Sequence, residues 1–154
     1  MGRIFKFLGL GLIVLMIIIQ FFRPEPNNTP ADPALDMLSL ASPPEATAKL
    51  IRKACYDCHS TQTDYPWYGR VSPVSWYLNR HIQAGKEELN FSTYGQLNKA
   101  EKIGIFADIC DVVDAGTMPL PSYLLIHKEA RLTGEERAVL CQWSEGEALK
   151  VMRE

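Results

Sequence analysis

The stretch Cys55-Tyr56-Asp57-Cys58-His59 constrains this chain more than any other. Two cysteines three apart project from one side of a helical turn. Both thiols can then reach the two vinyl groups of a single haem, and the next residue, His59, can offer a ring nitrogen to the iron. In sequence this C-x-x-C-H pattern is the signature of covalent, c-type haem attachment. Two rival chemistries share the spacing. A thioredoxin-like dithiol needs a strand before the motif, whereas the segment before Cys55 reads as helix. A zinc site needs four ligands, usually with a second close pair, whereas Cys110 and Cys141 stand alone. The expected cofactor is therefore one covalently held haem c, with thioethers at Cys55 and Cys58 and His59 as the proximal iron ligand.

An apolar run, FKFLGLGLIVLMIIIQFF, fills positions 5–22, with Arg3 just ahead of it and Lys6 near its start. As a helix it spans about 27 Å, close to the roughly 30 Å hydrocarbon core of a bilayer. A cleaved signal peptide and an uncleaved anchor compete for it. Cleavage wants small residues just past the apolar run; Gln20, Phe21, Phe22, Arg23 and Pro24 are bulky, charged or rigid, which favours an anchor over residues 1–23. The basic residues at the short end put that end in the cytoplasm and the rest outside it.

Residues 24–44 hold six of the chain's 10 prolines. Such a segment prefers extended polyproline geometry. It reads as a stalk of at most about 60 Å, with the moderately apolar LDMLSLA able to dock on the domain that follows. That domain, residues 45–154, has helical periodicity throughout. Ser42-Pro43 reads as a helix start, leading through Leu50, Ile51 and Ala54 to the motif. A second helix runs from Ser72-Pro73 to about Leu89, with Val74, Leu78, His81, Ile82 and Gly85 on one face. A third spans about 98–115, with Ile103, Phe106, Ala107, Cys110 and Val113 as its buried stripe and Gly116 as its C-terminal cap. A fourth starts at Thr133, where Glu136 completes a capping box, and turns Val139, Leu140 and Trp143 inward. The expected fold is all-α: about four helices with long loops at 59–72 and 116–132, preceded by a transmembrane helix.

A haem iron held by histidine on one side needs a partner on the other. Met118, in GTMPLP, is the first candidate, because Pro119 and Pro121 stiffen its loop and a thioether is a soft ligand that raises the potential. Its bland alternative is a gap-filling core residue. His81, on an apolar helix face, is the alternative ligand or a satisfied core histidine. His127 more naturally holds its own loop. Trp67 and Trp76 can shield a haem edge, and Arg70 can pair with a propionate; ordinary packing and solvation compete for all three. Cys110 lies on a buried stripe and Cys141 well off one, which favours two separate thiols over a disulfide.

Charge narrows the partners. The chain has 16 basic and 18 acidic residues; without Arg3, Lys6 and Arg23 the count from Pro24 onward is 13 against 18, or −5. No basic stripe exists, which argues against nucleic acid. Asp108, Asp111 and Asp114 form an acidic face suited to solvent or to a basic redox partner.

The run CYDCHSTQTDYPWYGRVSPVSWYLNRHI, together with GTMPLPSYLLIHKEARLTGEERAVLCQW, resembles the bacterial haem-binding domain family that carries a single C-x-x-C-H. The resemblance covers about residues 45–145. It implies a periplasmic haem protein related to small cytochromes c, of a kind also found joined to cytochrome c and cytochrome c peroxidase modules. The expected role is a membrane-bound electron carrier between respiratory or peroxidase-type redox proteins, not an enzyme, since no carboxylate pair, Ser/His/Asp set or phosphate loop appears. The alternative is a haem-based sensor or peroxidase-like protein with an open distal face. A membrane-tethered thiol oxidoreductase, with Cys55 and Cys58 free of haem, is a third reading.

Overall fold

The apolar run forms one uninterrupted helix, α1 (Gly2–Ile19), because nothing in it breaks the backbone ladder and no polar face competes for water. A computed structural model describes residues 2–154; among these, every regular element is helical and no strand occurs. Together with the short turn Gln20–Phe22, α1 is long and apolar enough to cross a membrane, and none of it is buried in the rest of the protein.

After α1 come α2 (Met37–Ala41), α3 (Glu45–Ile51), a widened π turn (Arg52–Tyr56) and α4 (Asp57–His59). Then follow α5 (Val74–Glu88), α6 (Lys99–Asp114), α7 (Pro121–Leu124) and α8 (Gly134–Arg153). Single 3-10 turns at Trp67–Arg70, Phe91–Gln96 and Lys128–Ala130 break up the connections. Two starts have reciprocal caps. Asn98 and Glu101 exchange side-chain and backbone bonds at 3.0 and 2.8 Å, and Thr133 and Glu136 do so at 3.2 and 2.8 Å. Gly116 closes α6 at φ 66°, where only glycine is free of strain.

Antiparallel packing of α6 on α8 forms the floor of the domain. Phe106, Val113, Leu140, Ala148 and Val151 are buried there, and Phe106 meets Trp143 edge-on at 5.4 Å. Cys110 and Cys141 form a disulfide between the two helices. The expectation of separate thiols is therefore wrong. The α6–α8 contact is wider than the fully buried stripe, so a cysteine at the edge of one helix still meets its neighbour.

Other corrections concern where helices begin and which way they face. Ser42 does not start a helix. It ends α2 in the left-handed region (φ 47°), while the Asp36 carboxylate caps the start of α2 by accepting from Leu38 and Ser39. Val74, Ala107 and Val139, expected on buried faces, are exposed.

The proline-rich segment is not a free stalk. Its backbone and side chains find partners on the domain. Asn28 Nδ2 donates to the Thr63 carbonyl at 2.7 Å, Lys86 Nζ donates to the Asn27 carbonyl at 3.0 Å, and the Gly95 N–H donates to the Leu35 carbonyl at 2.8 Å. Met37, Leu38 and Ala41 then enter the main core. The docking read from LDMLSLA is present, and the buried body begins before residue 45. The end of α1 is tied down as well: the Gln20 amide donates to the Ser72 carbonyl at 3.0 Å and accepts from the Ser72 N–H at 2.9 Å.

Candidate functional site

Residues 52–59 pass from the π turn directly into α4, so Cys55 sits in the widened turn while Cys58 and His59 sit in the α-helical one. A π turn inside a helix is frequent at functional sites because it re-aims side chains. Here it leaves Tyr56 facing the core. Tyr56 stacks on Phe91 at 5.3 Å, and its hydroxyl donates to the Asp36 carboxylate at 3.1 and 3.2 Å. Next to it, the Asp57 carboxylate accepts from the Tyr123 hydroxyl at 2.7 Å and from the Asp64 N–H at 3.0 Å. Ser60 Oγ donates to the Tyr56 carbonyl at 2.8 Å and turns the chain out of the helix. Behind the motif lies α5 at Gly85, where a Cβ would stand 2.8 Å from the Cys58 carbonyl oxygen. Two elements distant in sequence thus clamp the motif backbone.

His59 Nδ1 lies 3.1 Å from the Leu89 carbonyl oxygen. A carbonyl only accepts, so Nδ1 carries the hydrogen and the Nε2 lone pair is free. A bond of this kind from the far ring nitrogen fixes the tautomer and orientation of a ligating imidazole. Burial lowers the His59 pKa, against the opposing pull of the Leu89 and Gly85 carbonyls and the Glu88 charge. The ring is thus neutral at neutral pH, the form that binds a metal.

Two apolar cavities flank His59. One, of about 260 Å³, is lined by Cys58, His59, His81, Met118, Leu120 and Tyr123, among others. The second, of about 340 Å³, is lined by Cys55, His59, Phe91, Ile109, Val112 and Met118, among others. His59 and Met118 border both; each cysteine borders one. Together the cavities lie within the roughly 300–1,000 Å³ usual for small-molecule and cofactor sites. The residue chemistry fits haem: two free thiols, an imidazole with a bare nitrogen, a thioether and apolar walls.

The surroundings of both thiols hold them in the protonated form. Burial first, then the neighbouring Cys58, pushes the Cys55 pKa up to about 12. Burial, then the Asp57 charge, pushes Cys58 up to about 11, against a lowering by Lys86. Reactive dithiols need the opposite shift.

The structure brings Cys55, Cys58, His59, Met118 and His81 to this site. His81 Nδ1 bonds the Tyr77 carbonyl at 2.8 Å, and the residue lines only the first cavity. His127 does not face it as a free donor: its Nε2 bonds the Tyr68 hydroxyl and its Nδ1 the Glu129 carboxylate at 3.0 Å. Trp67, Arg70 and Trp76 line neither cavity. Trp67 is exposed, the Arg70 carbonyl accepts from Arg23 Nη1 at 2.7 Å, and Trp76 Nε1 donates to the Phe22 carbonyl at 2.7 Å. Trp76 and Arg70 meet the turn that follows α1 instead, Trp76 through its indole N–H and Arg70 through its backbone carbonyl. Sequence reasoning missed Tyr123, Phe91 and the Leu89 carbonyl. Tyr123 sits in α7, a single turn too short to show any periodicity, and a backbone carbonyl leaves no mark in a sequence.

An all-helical frame with this donor set defines a haem-binding protein. The family model for the haem-binding domain matches residues 14–146, most of the chain, and the chain belongs to that family. No curated protein and no solved structure matches it.

Proposed function

We propose that the chain is a membrane-anchored c-type cytochrome, holding one haem through Cys55 and Cys58 and passing single electrons between redox partner proteins. The observation that carries this reading is the His59 ring, which is held by Leu89 at one nitrogen, is bare at the other and stands between the two cysteine-lined cavities. When bound, haem supplies a one-electron iron couple. The chain supplies the rest. His59 would hold the iron through Nε2, with the Leu89 carbonyl raising its basicity. Met118, which borders both cavities, would supply the second iron ligand; His81, confined to one, is the alternative. The apolar walls exclude water and, with a thioether ligand, favour a raised potential. The raised thiol pKa values speak against a dithiol enzyme. α1 serves as an inner-membrane anchor, and Arg3 and Lys6 favour a cytoplasmic N-terminus and a periplasmic domain.

Haem staining of the full chain after denaturing electrophoresis tests covalent attachment. Stain is expected in the wild type and lost in Cys55→Ala/Cys58→Ala; an unstained wild type rejects the c-type reading. Spectroscopy tests the distal side. A methionine–iron charge-transfer band that vanishes in Met118→Ala and persists in His81→Ala is expected. A high-spin wild-type spectrum with rapid binding of carbon monoxide would instead support a sensor or peroxidase-like protein.

A further inference from the structure

The domain carries an apolar surface that the haem site does not use. Trp67 is 79% exposed, Leu125 76% and Ile126 62%, and Val71, Val74 and Tyr77 are exposed as well. These residues come from two separate segments that meet. Trp67 packs edge-on against Tyr68 at 5.9 Å, and the Tyr68 hydroxyl bonds His127, next to Ile126. Exposed single apolar residues are ordinary, but six of them on two segments joined at Tyr68 and His127 suit an interaction surface.

Its position identifies the occupant. The same 67–77 segment holds the end of α1 through Gln20 to Ser72, Phe22 to Trp76 and Arg23 to Arg70. Phe21 and Phe22 at that end are themselves exposed. The apolar surface of the domain is therefore continuous with the apolar surface of the helix. Where an anchor leaves the hydrocarbon, tryptophan and tyrosine sit at headgroup level, with an apolar body and a polar tip. Arg23 and Arg70 add cations at the same junction, suited to lipid phosphates.

We propose that the surface formed by Trp67, Val71, Val74, Tyr77, Leu125 and Ile126 lies on the phospholipid headgroup layer of the bilayer that α1 enters. The domain is then held against the membrane, not above it. This rests on the reading of α1 as a membrane anchor.

The test uses the full chain in nanodiscs of phosphatidylcholine and phosphatidylglycerol doped with a phospholipid carrying a photoactivatable diazirine near the headgroup. Adducts are mapped by mass spectrometry. The expected result is labelling of three regions: α1, the peptide spanning residues 67–77, and the peptide with Leu125 and Ile126. Leu149 and Met152 on α8, also exposed and apolar, serve as the reference surface and should label several-fold less. If α1 is labelled but both peptides stay at the α8 level, the lipid-docking proposal is overturned and the anchor stands. If α1 itself is unlabelled, the anchor reading fails and the docking proposal goes with it.

Discussion

Gly85 presses on Cys58: a Cβ at position 85 would lie 2.8 Å from the Cys58 carbonyl oxygen and 3.3 Å from its Cβ. The neighbour is backbone, which cannot swing aside. The contact sets the distance between α5 and the cysteine motif, and Gly85 also lines the cavity beside His59.

Gly85→Ala should therefore destabilise. Alanine gains up to about 1 kcal/mol in helix propensity, but overpacking costs about 1–3 kcal/mol, and contact below 3.0 Å with backbone decides the sign. Gly146→Ala on α8, with open space around the position, should stabilise by about 0.5–1 kcal/mol. Denaturant midpoints compare the two variants. Haem content per chain should fall only in the first.

The Asp36 carboxylate caps α2 and accepts from Tyr56, joining the proline-rich segment to the motif. Asp36→Ala removes a cap worth about 0.5–2 kcal/mol and leaves a buried hydroxyl unpaired at about 1–3 kcal/mol. Tyr56→Phe loses only the hydrogen bond, about 0.5–1.5 kcal/mol, and keeps the cap. Urea unfolding should rank the alanine variant as the less stable of the two; equal losses would mean that the cap contributes nothing.

Cys110 and Cys141 close a loop with a sequence separation of 31, which the chain-entropy account values at about 3–4 kcal/mol. Cys110→Ser/Cys141→Ser, or reduction of the wild type, should lower stability by that order. The haem stain should be retained, because the disulfide lies on the α6–α8 floor and neither cysteine lines the haem-side cavities.

Acid should act on the haem-free protein in two steps. Folding lowers the His59 pKa, so below the unfolded value of about 6.5 the unfolded chain binds the extra proton and stability declines as pH falls. Glu136 is lowered chiefly by its bond to Lys53 at 2.6 Å and by the Thr133 N–H. Its contribution is full above about 4.3 and is lost as pH falls through the lower folded value. As a part-exposed pair it contributes only about 0.2–1 kcal/mol. Unfolding free energy measured against pH should show the first decline in the wild type and not in His59→Gln. The second should be smaller in Glu136→Gln, because Glu129 is lowered as well.

Local chemistry was legible in the sequence wherever one residue type dictates one geometry. The Thr133–Glu136 box, Gly116 at positive φ and the apolar α1 each follow from a short pattern, and C-x-x-C-H fixed the search for a site. Met118 and His81 stand out because few residue types can ligate iron, and both line the cavity beside His59. What stayed hidden depends on contacts between segments far apart in the chain. Ser42-Pro43 imitates a helix start, but Asp36 upstream had already begun a different one. Trp76 was expected near the haem because an aromatic on the polar side of a helix must pack on something; that something is the Phe22 carbonyl. Helical position placed Cys141 off the buried face of α8, although α6 covers more of that helix than the buried stripe alone.

The docked proline-rich segment changes where this protein can be cut. By composition, residues 24–44 invite a protease or a truncation that frees a soluble domain. Cleavage ahead of residue 45 would pull Met37, Leu38 and Ala41 out of the core and take Asp36 from Tyr56. The apparent leash is structural timber, and a released fragment that keeps its fold has to begin upstream of Asp36.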